Sequence, residues 1–438
     1  MTDHFTRQRT RTAPAPGGAD GRGPGLSRGM MFLLAVTCGV AVGNVYFPQA
    51  VSPLIADGLG VSPGAATLAV TAAQFGYTAG ILLLVPLGDR FAYRPLLVTL
   101  LAVTGTGLLA AGAAPGLPPL IGAGALVGTA TVIAPLVGPM VAGMVPKERH
   151  GAVSGTLASG TIGGILLSRT LGAALGTWLG WRAPYLFMAV VALLLAGLLR
   201  WALPRGRTSP GAGAGTGTGT GSPGAGAAGA GAAAVPLAAL LTQPLRLLRT
   251  EPALRRSCFC QAMVFGGFSA VWTSLALLLT GPAYGMDATA VGALAFVNAG
   301  TMLCTPLAGR QTDRRGSDTV GMVCAAGVVA GAAVLALGRT GGAWGLAALA
   351  LGTLLLDVGM QAGTIANTVR IYGLRPELRA RLTTAFMTCS YLGGTLGSWL
   401  GARTYAAVGW WGVCGLVATA ALAALLAAGR PLTARAPS

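Results

Sequence analysis

The 438-residue chain contains few charged residues. Only 9% of its residues are Asp, Glu, Lys or Arg, whereas soluble domains carry roughly 25%. Hydrophobic residues make up 53%, so an ordinary water-soluble domain is excluded and lipid is expected to surround most of the chain. A membrane-spanning helix needs about 20 apolar residues. Twelve such spans are predicted, at 30–54, 66–87, 95–114, 117–144, 152–179, 182–202, 256–280, 288–308, 318–338, 342–369, 382–405 and 410–429.

Histidine and acidic residues are also scarce, with 2 His and 11 Asp or Glu in the chain. Both histidines, His4 and His150, lie outside the predicted spans, which excludes a histidine proton relay within the membrane. The seven cysteines lack metal-ligand spacing, and the sequence has no GxxxxGK[ST] nucleotide loop. We therefore expect no metal, no cofactor and no ATP-driven step. A membrane-embedded enzyme would need clustered His, Cys, Asp or Glu, so no enzymatic activity is expected either.

The net charge of +18 could suggest a nucleic-acid partner, but the placement of the basic residues argues against it. With the N-terminus inside the cell, all of the 29 lysines and arginines fall on cytoplasmic segments except Arg169, Arg182, Arg339 and Arg403. This is the positive-inside distribution of a multi-pass protein. We predict a cell-membrane protein with both termini in the cytoplasm and no nucleic-acid partner.

Three polar segments frame two apolar halves. Residues 1–28 read as a disordered basic tail rather than a signal peptide, because the following apolar run is too long and lacks a cleavage site. Residues 203–252 are rich in Gly, Ala, Thr, Ser and Pro and predict a flexible cytoplasmic linker. Residues 236–256 fit either an interfacial helix or a solvated connector. The remaining divisions are six-helix bundles at 29–202 and 253–430 and a cytoplasmic tail at 431–438.

The two halves repeat one another. Pro146 and Ser168 have counterparts 230 positions later, in Pro376 and Ser398, and the intervening glycines keep the same register. Such internal repeats are how many transporters are built. The sequence therefore predicts an all-α membrane protein of twelve helices in two pseudo-symmetric bundles.

A polar loop motif follows the second predicted span, and a partial copy follows the eighth. The matching residues are Leu87, Asp89, Arg90 and Arg94 in the first copy, and Gly309, Asp313, Arg314 and Gly316 in the second. The motif resembles glycine-x-leucine-x-aspartate-arginine-x-glycine-arginine-arginine of the major facilitator superfamily (MFS), with Val85 and Ala92 in place of two glycines. The resemblance covers both halves and implies that these loops help to lock the outward-facing state.

Other segments refine the resemblance. Residues 44–47 and 357–398 are similar to a bacterial efflux-type subgroup, which implies a class of carrier without a substrate. Proton-coupled drug exporters of the superfamily place an arginine in helix four, where Gly124 stands here. Their helix-five motif has glycine-proline where this chain has Ser168-Arg169. Direct transfer of their antiport mechanism is therefore not implied.

Two charged residues lie deep in predicted spans, where each costs roughly 2.5–3.5 kcal/mol and marks a functional site by default. Asp357 could carry a proton or bind substrate, pair with a cation, or bond to nearby backbone; Arg169 could line a cavity or serve packing. Gln361 and Thr364 share a helix face with Asp357. Further polar candidates are Asn44, Gln49, Gln74, Tyr77, Asn298 and Asn367, and candidate aromatic residues are Tyr46, Phe47, Phe75, Phe268, Trp272 and Trp399.

Small residues at a spacing of four mark the fifth and eleventh spans. They let another helix approach closely, so we predict a packing role for Gly160, Gly164, Ser168, Gly172, Gly393, Gly394 and Gly397.

Together these features predict a monomeric secondary transporter that alternates access around a midplane site. The favoured activity is proton-coupled efflux of a small, largely apolar compound. An importer or uniporter of a small metabolite remains the alternative. A receptor or scaffold would need a folded extramembrane domain, and the long extramembrane segments are low in complexity.

Overall fold

The computed structural model describes residues 27–89, 91–142, 144–145, 150–203, 244, 246–374 and 378–429, and these residues form helices and turns without strands. The first half contains α1 (Arg28–Leu59), α2 (Pro63–Leu84), α3 (Tyr93–Gly112), α4 (Leu117–Ala130), α5 (Ile133–Ala142), α6 (His150–Leu179) and α7 (Ala183–Ala202). The second half contains α8 (Pro252–Thr280), α9 (Thr289–Val297), α10 (Thr301–Arg315), α11 (Ser317–Leu337), α12 (Gly342–Leu374), α13 (Arg379–Val408) and α14 (Trp410–Gly429).

The predicted all-helical membrane fold is confirmed. Ten helical segments are long and apolar enough to cross a membrane, with α4 and α5 together forming one of them. Two further helical segments, α9–α10 and α13, stand where the eighth and eleventh spans are predicted. Neither is among the ten, because α9 and α10 have only 9 and 15 residues and α13 is rich in Ser and Thr. A 3₁₀ turn at Asn298–Gly300 separates α9 from α10.

The helix termini carry the expected capping chemistry. Ser27 caps α1 by accepting a hydrogen bond from the Met30 backbone N–H at 3.2 Å. Ser62 caps α2, with Pro63 at the first helical position, where its missing N–H costs nothing. Gly60 lies between α1 and α2 at φ +63°, a left-handed conformation that residues with a side chain disfavour. These residues fix the tight turn between the first two spans.

The predicted orientation can be tested with reporter fusions. Fusions at residues 116 and 340 should report the outer side, and fusions at 92 and 220 the cytoplasm, because the basic residues concentrate on the latter segments. Alkaline phosphatase and green fluorescent protein fusions measure the two sides independently. The opposite pattern would overturn the predicted topology. "Inner" and "outer" below refer to this orientation.

Backbone contacts between helices hold each half together, and the two halves use equivalent helices. In the first half α1 packs on α6, and a Cβ atom at Gly164 would lie 2.3 Å from the Gly39 Cα. In the second half α8 packs on α13, where a Cβ atom at Gly397 would lie 2.0 Å from the Gly266 carbonyl oxygen. The other predicted packing residues also lie at these two interfaces, namely Gly160, Ser168, Gly172, Gly393 and Gly394.

The two halves meet through α2 with α13, α6 with α9, and α1 with α8. The Thr170 hydroxyl donates to the Gly292 carbonyl at 3.0 Å, and the hydroxyls of Thr78 and Thr395 lie 3.3 Å apart. Thr78 and Thr395 lie near the middle of their helices, and Thr170 lies closer to the outer end of α6. The inner segments α5 and α10 pack chiefly against helices of their own halves. The halves therefore contact each other through α1, α2 and α6 of the first half and α8, α9 and α13 of the second.

The linker falls largely outside the described residues, as do residues 236–243 of the segment that could form an interfacial helix. Its described end, residues 246–250, is helical. Leu247 is buried there in a cluster with Leu254, Ile371 and Phe386. This end of the segment therefore packs against the inner ends of α8, α12 and α13.

Candidate functional site

Arg169 lies at the centre of the molecule, on α6, with 1% of its surface exposed. Its Nη2 donates a hydrogen bond to the Gln49 Oε1 atom of α1 at 2.9 Å. The guanidinium carbon lies 3.9 Å from the ring centroid of Trp272, 5.2 Å from that of Tyr46 and 5.5 Å from that of Phe268. A desolvated guanidinium is stabilised by aromatic faces at such distances. These contacts keep a cation at midmembrane depth with no carboxylate of the described residues in direct contact.

Asp357 of α12 lies at the edge of the same indole ring. It is 5% exposed, and its Oδ1 atom accepts a hydrogen bond from the Trp272 Nε1–H at 3.1 Å. The ion pairs formed by described residues involve Asp318, so Asp357 and Arg169 do not approach within 4.0 Å of each other. The cation of the first half and the acid of the second thus both contact Trp272. We call Gln49, Arg169, Trp272 and Asp357 the central site.

A group of aromatic side chains extends the central site toward α2 and α13. The Tyr77 and Tyr391 rings meet edge to face at a centroid distance of 4.6 Å, and Tyr391 meets Phe265 in the same way at 5.0 Å. Phe265 stacks on Phe268 at 5.6 Å. The hydroxyls of Tyr46 and Tyr77 both face the Tyr391 hydroxyl. Tyr391 and Phe265 escaped sequence analysis, since aromatic residues in apolar helices give no signal that separates a cavity wall from the core.

Several buried polar atoms near midmembrane depth have no hydrogen-bond partner among the described residues. Arg169 Nε and Gln49 Nε2 belong to the central site, and the others include both amide atoms of Asn44, Gln74 Oε1 and both amide atoms of Asn298. Leaving a buried polar group unpaired costs about 1–3 kcal/mol. Water or a polar ligand group would recover that energy, so these atoms are candidate ligand contacts.

The remaining polar candidates of α12 lie toward the inner side. Thr364 accepts a hydrogen bond from the Gln261 Nε2–H at 2.7 Å, and Asn367 donates to Gln261 Oε1 at 3.2 Å. Gln361 is half-buried one turn from Asp357. The α12 face predicted from helical spacing therefore leads from the central site to polar contacts with α8.

The two motif loops lie at the inner ends of the helices. Leu87 and Asp89 belong to the 3₁₀ turn Val85–Asp89, and Arg90 lies outside the described residues. Arg94 donates to the Arg200 carbonyl. In the second copy, Gly309 is half-buried on α10, Asp313 and Arg314 are exposed at its end, and Gly316 adopts φ +80° at the turn into α11.

Asp318, five residues beyond Asp313, is the acid that forms ion pairs in this region. It pairs with Arg256 of α8 and with Arg370 of α12, the latter at 2.5 Å. Arg370 also donates to Asn367 Oδ1 at 2.9 Å and to Ser257 Oγ at 3.1 Å. No sequence pattern singles out Asp318, because its partners come from helices distant in the chain. These contacts join the inner ends of α8, α11 and α12.

Comparison with known proteins gives a consistent result. The family model "Major Facilitator Superfamily" matches residues 32–398. The protein described as "Uncharacterized transporter YgaY" from Escherichia coli O157:H7 is 31% identical over 404 residues, covering 92% of this chain and 95% of its own. A "Chloramphenicol resistance protein" from Streptomyces lividans is 30% identical over 289 residues, 65% of this chain and 67% of its own. The crystal structure of a mutant of the nucleoside transporter NupG is similar in fold, with a TM-score of 0.68, 12% identity, and coverage of 91% of this chain and 98% of that one.

Proposed function

Since the chain belongs to the major facilitator superfamily and is a multi-pass membrane transporter, we propose that it couples efflux of a small, largely apolar compound to proton entry. In this proposal the halves alternate access to the central site, and Asp357 carries the coupled proton. The observation that carries the proposal is the position of Asp357. It is buried at midmembrane depth, with Trp272 as its hydrogen-bond donor and no cation of the described residues in direct contact.

Protonation of Asp357 would change the forces on Trp272 and Arg169 together. An ionised carboxylate accepts the indole N–H bond more strongly than a neutral acid does, because charge-assisted hydrogen bonds are roughly twice as strong. It also offsets the charge of Arg169, whose guanidinium lies against the same indole ring. Adding a proton weakens the hold on Trp272 and leaves the site with a net positive charge. Trp272 thus links the acid of one half to the cation of the other.

The side chains of the central site and its aromatic neighbours suit a compound with a substantial apolar surface and a few polar groups. Phe268 and Trp272 supply aromatic faces, while Arg169 Nε and Gln49 Nε2 are unused hydrogen-bond donors. Such a combination of apolar walls and few polar groups is typical of small-molecule sites. The relative described as a chloramphenicol resistance protein supports the outward direction.

The proposed function can be tested with growth assays and everted membrane vesicles. Expression should raise the inhibitory concentration of some members of a toxic-compound panel that includes chloramphenicol. Everted vesicles should accumulate those compounds when energised, and a protonophore should abolish the accumulation. Accumulation that survives the protonophore would exclude proton coupling, and the absence of any protected compound across a broad panel would argue against efflux.

The role of Trp272 gives a separate prediction. Trp272→Phe retains an aromatic face but removes the N–H donor to Asp357, and a hydrogen bond to a charged group contributes about 1.5–3 kcal/mol. We expect energised transport to fall about tenfold or more. Trp344→Phe, in the same half but 88% exposed, is the matched control and should transport normally. Equal activity of the two variants would remove Trp272 from the coupling mechanism.

A further inference from the structure

A groove runs between the outer ends of α2 and α13, where the two halves of the protein meet. It has a volume of about 780 Å³ and is lined by the first residues of α2, from Gly64 to Leu68, and by the last residues of α13, from Trp399 to Val408. Most of its lining is small or apolar, with Leu68 40% and Trp399 38% exposed. The groove is therefore open and apolar along most of its length.

Arg403 is the charged residue of this lining. Its guanidinium carbon lies 5.0 Å from the ring centroid of Trp399, one turn earlier on α13. The ion pairs formed by described residues involve Asp318 at the inner side, so no described acid neutralises Arg403. Arg403 is also one of the four basic residues that the positive-inside distribution leaves unexplained.

The depth of Arg403 matches the outer membrane interface. It precedes the end of α13 at Val408 by five residues, or about 7.5 Å along a helix. Long basic side chains at this depth extend toward the headgroups, and tryptophan is enriched there. On the membrane side of Arg403 the lining of α13 consists of Trp399 and Ala402, and the remaining lining residues of α13 lie nearer its outer end.

We propose that this groove binds one anionic glycerophospholipid of the outer leaflet. Its headgroup occupies the groove with the phosphate on Arg403, and one acyl chain passes along Trp399 and Leu68 between α2 and α13. The occupant must supply an anion at the interface and an apolar chain below it, and an anionic lipid supplies both. Because the groove has one wall from each half, the bound lipid contacts both halves at their outer ends.

Native mass spectrometry of the purified, delipidated full-length protein tests the proposal. The protein is titrated with phosphatidylglycerol, with phosphatidylcholine of the same acyl chains, and with inorganic phosphate. One phosphatidylglycerol should bind about fivefold more tightly than phosphatidylcholine, as one basic residue near a membrane surface contributes about 1 kcal/mol. Arg403→Gln should abolish this preference. Arg339→Gln, which removes another outer arginine that does not line the groove, should retain it.

A second variant fills the groove without changing its charge. Ala406 lines the groove and is exposed, so Ala406→Trp should lower the binding of both phospholipids while the protein remains folded by size-exclusion chromatography. Unchanged phosphatidylglycerol binding in Arg403→Gln would overturn the proposal. So would displacement of the lipid by inorganic phosphate at similar concentrations, which would show that an acyl chain contributes nothing. Displacement by chloramphenicol would instead make the groove a substrate site.

Discussion

Asp357→Asn is expected to abolish uphill transport while leaving downhill exchange of the substrate. Asn has nearly the shape of a protonated Asp and can still accept the Trp272 N–H bond through its side-chain oxygen. It cannot release a proton, so the site would remain in its protonated-like state throughout the cycle. The substrate could then cross and return without any link to the proton gradient.

Proteoliposomes with an imposed pH gradient separate these two activities. The wild type should accumulate substrate, whereas Asp357→Asn should show counterflow exchange without accumulation. Exchange by the variant should also be independent of pH, because the titrating group has been removed. Asp287→Asn, which changes an exposed acid beyond the outer end of α8, is the control and should behave as the wild type. Accumulation by Asp357→Asn at the wild-type level would mean that a different residue or a different ion provides the coupling.

Gly164→Leu is expected to disrupt the packing of the first half. A Cβ atom at this position would already lie 2.3 Å from Gly39 Cα and equally close to the Gly39 carbonyl oxygen. Backbone cannot rotate away as a side chain can, so α1 and α6 would have to separate. Overpacking typically lowers folding stability by 1–3 kcal/mol and occasionally more. Because the clash here is with backbone, we expect Gly164→Leu to lose about 3 kcal/mol or more.

The neighbouring glycine provides a matched control. A Cβ atom at Gly163 meets nothing within 4 Å, so Gly163→Leu introduces the same side chain one residue away without the clash. Fluorescence-detected size-exclusion chromatography after a temperature series measures the melting temperature of each variant. We expect Gly164→Leu to aggregate or melt far below the wild type and Gly163→Leu to melt near it. Similar melting of both variants would show that the contact between α1 and α6 adds little to stability.

The sequence predicted the spans well because hydropathy and segment length are local properties. It also singled out Asp357 and Arg169, since charged residues are conspicuous among apolar ones. Their arrangement around Trp272 could not be predicted, because it depends on how the two halves pack against each other. Helical spacing assigns a residue to a face but does not identify the helix opposite that face.

The inner-side contacts illustrate the same limit. Asp313 matches a motif, yet the ion pairs involve Asp318, because the first turn of α11 faces Arg256 and Arg370. Likewise, the glycine spacing on α6 indicated close packing but not its partner, Gly39. That partner became identifiable only from the arrangement of α1 against α6.

The glycine contacts also determine where this protein can change shape. Where backbone meets backbone, no side-chain rotamers exist that could rearrange, so α1 with α6 and α8 with α13 have a single way to fit. The boundary between α2 and α13 is different, since the hydroxyls of Thr78 and Thr395 meet there. The boundary between α6 and α9 combines both kinds of contact, because the Thr170 hydroxyl bonds the Gly292 carbonyl and a Cβ atom at Gly292 would lie 2.9 Å from Thr170 Cα. A rotating hydroxyl can exchange one acceptor for another at little cost. Sliding is therefore most restricted within each half, and the boundary between α2 and α13 is where the two halves can shift at the least cost.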